Sequence, residues 1–180
     1  MNAMNTHYPD PTRIEPSNRH TLAVIVDNEP GVLARIAGMF SGRGYNIESL
    51  TVSETEHQKH ISRITIVTTG TNAVIEQIKS QLARLVPVHR VVDLTIQGEA
   101  IERELALLKV VGTGDHRVEA MRLASAFGAR ILDASLSSFV FELTGTTEEI
   151  ERFISLMTAV GLAEVSRTGI AAMSRGREGM

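Results

Sequence analysis

The chain has 180 residues, 43% of them hydrophobic, 22% charged and 4% aromatic, with a formal net charge of −3. That balance suits a folded globular protein and is too acidic and too poor in aromatics for a surface that grips phosphate backbones and stacks bases, so nucleic acid is excluded as a first partner. The absence of cysteine removes disulfides, thiolate metal sites and cysteine nucleophiles together, and no run approaches the roughly 20 apolar residues of a membrane helix, so a cytoplasmic protein with no membrane contact is expected.

Residues 1–19 carry Pro9, Pro11 and Pro16 and no long apolar run, and read as a flexible N-terminal tail rather than a secretory signal. Residues 21–27, TLAVIVD, form a nearly continuous β-prone run of the kind found in central strands. A helix over 30–41 follows, with Pro30 at a first helical position that tolerates a missing N–H and Leu33, Ile36, Ala37 and Phe40 spaced as one buried face. Gly42 or Gly44 ends it by taking the left-handed conformation, and Asn46 stands at the mouth of the next strand, 47–53. The polar run 54–60 is a hairpin loop returning through a strand at 61–69. A helix over 72–85 presents Ile75, Ile78, Leu82 and Leu85, and a strand over 88–96 turns Val88, Val92, Leu94 and Ile96 to the core. The second half repeats the order. A strand at 105–111, a helix from Asp115 as N-cap to Phe127, strands at 129–136 and 139–143, a helix bearing Ile150, Phe153, Ile154 and Met157, and a final strand at 162–170 give a second β-α-β-β-α-β unit. The fold class is therefore α+β, two tandem ferredoxin-like (βαββαβ) sandwiches, with the junction in the polar segment 97–103.

The stretch 28–50 carries most of the functional signal. Asn28 and Asn46 flank a short helix whose free N–H groups and dipole attract a carboxylate, Gly31 lets the backbone come close to a ligand, and an Asn side-chain oxygen can accept from an ammonium, so the corner suits a small zwitterion. Ordinary turn chemistry explains the same residues without any ligand. Elsewhere, His57 and His60 lack accompanying carboxylates and read as solvated loop histidines. The turn Gly112-Thr113-Gly114 lacks the longer glycine and lysine pattern of a phosphate cradle, and Glu148, Glu149 and Glu151 sit where a helix dipole favours negative charge. With no catalytic set and no metal cage evident, a binding or regulatory role is expected rather than an enzyme.

The runs NEPGVLARIAGMFSGRGYNIESLTV, KSQLARLVPVHRVVDLT, IERELALLKV and RTGIAAMSRG, in this order, resemble the small, regulatory subunit of acetolactate synthase (acetohydroxyacid synthase) over residues 20 to 176. The resemblance implies an ACT domain over 20–97 that binds an effector and dimerises, and a C-terminal ferredoxin-like regulatory domain over 98–180. It implies no catalytic residue and no cofactor in this chain. The partner, a separate catalytic subunit, would hold thiamine diphosphate, FAD and magnesium. The subunit would activate that partner and confer feedback inhibition by a branched-chain amino acid, with valine the expected effector, in valine, leucine and isoleucine biosynthesis. The effector-site positions that match are Asn28, Gly31, Val32, Leu33, Asn46 and Ile47. The long tail before His20 departs from the pattern. An alternative is a free-standing amino-acid-sensing ACT module acting on another partner.

Overall fold

The structure, a computed structural model, describes residues 16–56, 60–96, 100–177 and 179. Most of the expected tail and His57 lie outside the described residues. β1 (Asn18–Asp27), α1 (Val32–Gly42), β2 (Ser49–Glu56), β3 (Ile61–Gly70), α2 (Asn72–Leu82) and β4 (Val88–Asp93) build an antiparallel sheet in the order β2-β3-β1-β4. β5 (Ile101–Val111), α3 (Gly114–Phe127), β6 (Arg130–Ala134), β7 (Ser138–Gly145), α4 (Thr147–Thr158) and β8 (Leu162–Arg167) repeat it as β6-β7-β5-β8, and β9 (Ala171–Met173) pairs with the first residues of β5. The two tandem βαββαβ sandwiches read from the sequence are thus present.

Each sheet buries one face under its own helices. Leu22, Val24, Val26, Ile64 and Ile66 pack against Ile36 and Phe40 of α1 and Ile75, Ile78 and Leu82 of α2. In the second unit Leu108, Val110, Phe141 and Leu143 meet Ala120, Ala124, Ile150, Phe153 and Met157, with Phe153 between the rings of Phe127 and Phe141. Each large apolar side chain removed from water contributes about 1.5–3 kcal/mol, so these faces dominate stability.

Local geometry differs from the periodic reading in four places. Gly31 has φ 89° and caps α1, so the helix begins at Val32, Pro30 lies in the turn before it, and the buried stripe is Val32, Ile36 and Phe40. Leu33 is instead 40% exposed. The other end is as expected: Gly44, with φ 71°, donates to Ser41 while the Tyr45 N–H reaches the Phe40 carbonyl, a left-handed stop sealed by edge-on contact of the two rings. β4 stops at Asp93 because an Asp93 carboxylate oxygen accepts the Thr95 N–H and the Thr95 hydroxyl accepts the Thr21 N–H; Ile96 lies beyond that turn, 63% exposed rather than in the core. Thr113, not Asp115, is the residue ahead of α3, with Asp115 in its first turn.

The fourth difference is at the C-terminus, where the single strand expected over 162–170 is two. Gly169, with φ 79°, breaks the run, and the chain crosses to β9. Ile170 and Ala172 then cover the outer face of the first sheet, packing on Ala23, Val67, Val92 and Leu94. The Ile170 N–H donates to Ser49 Oγ at 3.1 Å, and Arg63 donates to the Ala172 carbonyl at 2.7 Å. Burial there holds the Arg63 guanidinium below its usual pKa, although it remains charged. An added Cβ at Gly169 would lie 2.8 Å from Ser49 Oγ and 2.9 Å from Thr51 Oγ1. Gly169→Ala is therefore expected to cost about 1–2 kcal/mol from backbone strain alone, and more once Ser49 turns away from Ile170, as measured by urea unfolding.

α4 begins with a full capping box: Thr146 Oγ1 accepts the Glu149 N–H at 3.2 Å and Glu149 accepts the Thr146 N–H at 2.7 Å. The hydrogen bonds from Thr146 hold the Glu149 carboxyl below its usual range. Because the folded pKa is the lower one, this contribution is present at neutral pH and is lost as pH falls through it. Thr146→Ala is expected to lower stability by about 1 kcal/mol in equilibrium denaturation.

Candidate functional site

The start of α1 is an open helix N-terminus. Glu29 turns back to Asp27, the Val32 N–H reaches the Glu29 carbonyl at 3.4 Å, and among the described residues no side chain caps the helix. The N–H groups of Leu33 and Ala34 are therefore the ones left for an anion, and no acidic residue of the first turn competes for them. Gly31 faces open space: no described heavy atom lies within 4 Å of a Cβ built there. Its glycine is demanded by the positive φ rather than by a close neighbour. Asn28 is exposed and held through its backbone, donating to the His60 carbonyl at 2.6 Å. Leu33 presents a part-exposed apolar side chain beside it, whereas the Val32 side chain is turned into the core and offers a ligand only its backbone.

Asn46 and Ile47 lie at the far end of the helix and of the sheet. The Asn46 carbonyl accepts the Thr68 hydroxyl at 2.7 Å, Thr68 is opposite His20 at the beginning of β1, and Ile47 is half-buried against the core. Asn28 instead follows Asp27, opposite Ile61. From Ile61 to Thr68 a strand advances roughly 23 Å, so one chain does not bring the two asparagines to one corner. They mark opposite ends of the sheet, Asn46 just ahead of the edge strand β2 and Asn28 just past the end of β1, beside the start of β3.

β2 also contacts the second sandwich. A cleft of about 490 Å³ between the units is lined by Arg19, Glu48, Ser49, Leu50, Arg167 and Gly169, among others. At its wall the Arg167 guanidinium holds Glu104, whose side chain is 2% exposed, and also Glu151. Hydrogen bonding to Glu104, opposed by partial burial, raises the Arg167 pKa above its usual value. Arg19 bridges the units above it, 3.7 Å from Glu48 and 3.2 Å from Glu102. Strand β2 thus starts next to Asn46 and Ile47 and has its outer face, Ser49 and Thr51, against the segment that leads into β9. Periodicity missed this contact; a lone glycine, Gly169, inside the expected strand 162–170 was the available sign of it.

Comparison with known proteins agrees with this architecture. Residues 22–90 match the family model described as an AHAS small subunit-like ACT domain, and residues 103–176 match the model described as the small subunit of acetolactate synthase. The probable acetolactate synthase small subunit of Archaeoglobus fulgidus is 46% identical over 160 residues, covering 89% of this chain and 99% of that one. The small subunit of acetolactate synthase isozyme 3 from Escherichia coli is 42% identical, with 88% and 96% covered. The crystal structure of the acetolactate synthase small subunit from Thermotoga maritima superimposes with a TM-score of 0.81 at 36% identity, over 89% of this chain and 99% of that one. Matched along both sandwiches in sequence and in structure, the chain belongs to the acetolactate synthase small-subunit family, with an ACT domain as its first unit.

Proposed function

We propose that this chain regulates a separate acetolactate synthase catalytic subunit, raising its activity and making it subject to feedback inhibition by a branched-chain amino acid, with valine the expected effector. In this reading the partner carries the thiamine diphosphate, FAD and magnesium. The observation that supports it best is the placement of Asn28 and Asn46 at opposite ends of a sheet whose outermost strand, β2, is open. β2 is the outermost strand of its sheet, and a copy of it paired antiparallel across a two-fold axis sets the start of one β2 against the end of the other. Asn46 of one copy then approaches Asn28 and Gly31 of its partner. The effector carboxylate meets the N–H groups at the start of α1, its ammonium meets asparagine oxygens, and Leu33 and Ile47 offer apolar surface to its side chain. Ligand and dimer edge are coupled because the site is complete only between two copies.

Intersubunit complementation tests this directly. Asn28→Ala and Asn46→Ala should each lose valine binding in calorimetry. When the two variants are dissociated, mixed in equal amounts and reassociated, a mixed dimer has one site with both substitutions and one with neither, so about a quarter of all sites should return. A site contained within one chain would recover none.

A further inference from the structure

The second sandwich has an open edge of its own. β6 is the outermost strand of its sheet and every residue in it is exposed. Ile131 and Leu132 are 44% and 47% exposed, and Val118 and Met121 of α3 are 65% and 40% exposed. On α3, Ala120 and Ala124 face the core and Phe127 leans on Phe153 of α4, which leaves Val118 and Met121 on the exposed side of the helix. The edge therefore presents Ile131 and Leu132 together with, among the described residues, a backbone side that no strand pairs.

Charge sets its register. Ile131 lies opposite Phe141 and Asp133 opposite Val140, which leaves Leu132 as an extra residue in β6. Residues three apart in a regular strand face opposite ways, but the extra residue brings Arg130 and Asp133 to one face, above Glu142 and Val140. Place an identical strand antiparallel to β6 with a two-fold axis between Ile131 and Leu132. Arg130 of each copy then stands opposite Asp133 of the other, and Ile131 meets Leu132 twice at the centre. A slip by one residue sets Arg130 against Leu132 or Ala134 and loses both charge pairs. A bulge ordinarily guards an edge against pairing; here both copies carry it on the side facing β7, so the residue count between the two β6 strands stays equal. Arg130 is free to serve this role, since its contact with Glu142 is a loose 3.5 Å and its side chain is 75% exposed.

We propose that β6 is a second self-association edge, occupied by β6 of another copy of this chain in the register that pairs Arg130 with Asp133. This edge is separate from β2 and does not depend on the effector reading above. The chain has no cysteine, so Arg130→Cys and Asp133→Cys introduce thiols at these exposed positions alone. Directly opposite Cα atoms in an antiparallel pair lie about 4.5–5.5 Å apart, within reach of a disulfide. Full-length Arg130→Cys and Asp133→Cys proteins, mixed in a glutathione redox buffer, are expected to form a disulfide-linked heterodimer several-fold faster than either forms a homodimer. Leu132→Glu in both partners should abolish the cross-link while circular dichroism stays unchanged. Equal rates in the mixture and in the separate proteins, or a cross-link insensitive to Leu132→Glu, would overturn the proposal. So would protection of both thiols from alkylation by an added acetolactate synthase catalytic subunit with no disulfide in its absence, because β6 would then be that partner's seat.

Discussion

Replacing Arg167 with methionine is expected to lower the unfolding free energy by about 2–3 kcal/mol. Glu104 lies in β5 with its side chain 2% exposed, and Arg167 of the neighbouring β8 supplies its charge partner through both Nε and a terminal nitrogen. Removing the guanidinium strands a carboxylate in the wall between the sandwiches. Arg167 is 30% exposed and both residues line the cleft, so solvent screening keeps the cost at the lower end of that for a fully buried pair. Glu104→Leu in the Arg167→Met background should restore much of the loss, because it is the orphaned charge rather than the absent ion pair that destabilises. Urea titrations of the two singles and the double give the coupling. Independent, additive losses would show that Glu104 finds water or another donor when Arg167 is gone.

Gly31→Asp is expected to abolish feedback inhibition while leaving activation of the catalytic subunit largely intact. At φ 89° aspartate carries backbone strain of about 1 kcal/mol, less than most residues because it is among those that visit the left-handed region, and no described atom crowds the added Cβ, so the fold should survive the change. Binding should not. The new carboxylate sits where the effector's own carboxylate is proposed to meet the N–H groups of α1, adding like-charge repulsion to steric block. An amino acid of this size binds with a dissociation constant of roughly 1 μM to 1 mM, and feedback needs only about 1–3 kcal/mol of coupling, so the loss of one contact set can erase it. Valine titration calorimetry on the purified variant checks the first step, and acetolactate production with catalytic subunit and valine checks the second. Unchanged valine binding in Gly31→Asp would remove the start of α1 from the effector site.

The order of elements and the helix faces of α2 and α4 were legible in the sequence, because each is a local period: Ile75, Ile78 and Leu82, or Ile150, Phe153 and Met157, repeat within a few residues. The faces of β4 were not, since a register shift against β1 turns Val88 and Val91 to the helices and Val92 and Leu94 to the other face. The residues of the candidate site were legible as types, since an asparagine and a glycine before a helix start have chemistry of their own; that Gly31 is held by a positive φ and not by a close neighbour was not. Their placement was not. Gly31 shifted the first turn so that Val32 went inside and Leu33 outside, which a helical spacing counted from Pro30 cannot show. Asn28 and Asn46 are near neighbours in the chain yet lie at opposite ends of one edge, a separation set by strand register and not by spacing. Two independent sandwiches were equally natural from the repeat, whereas the tertiary structure covers the outer face of the first sheet with Ile170 and Ala172 from the end of the second. A periodic pattern states which side of an element is apolar; what covers the other side depends on contacts more than a hundred residues away, such as Arg63 with Ala172 and Ser49 with Ile170, and only the assembled chain decides those.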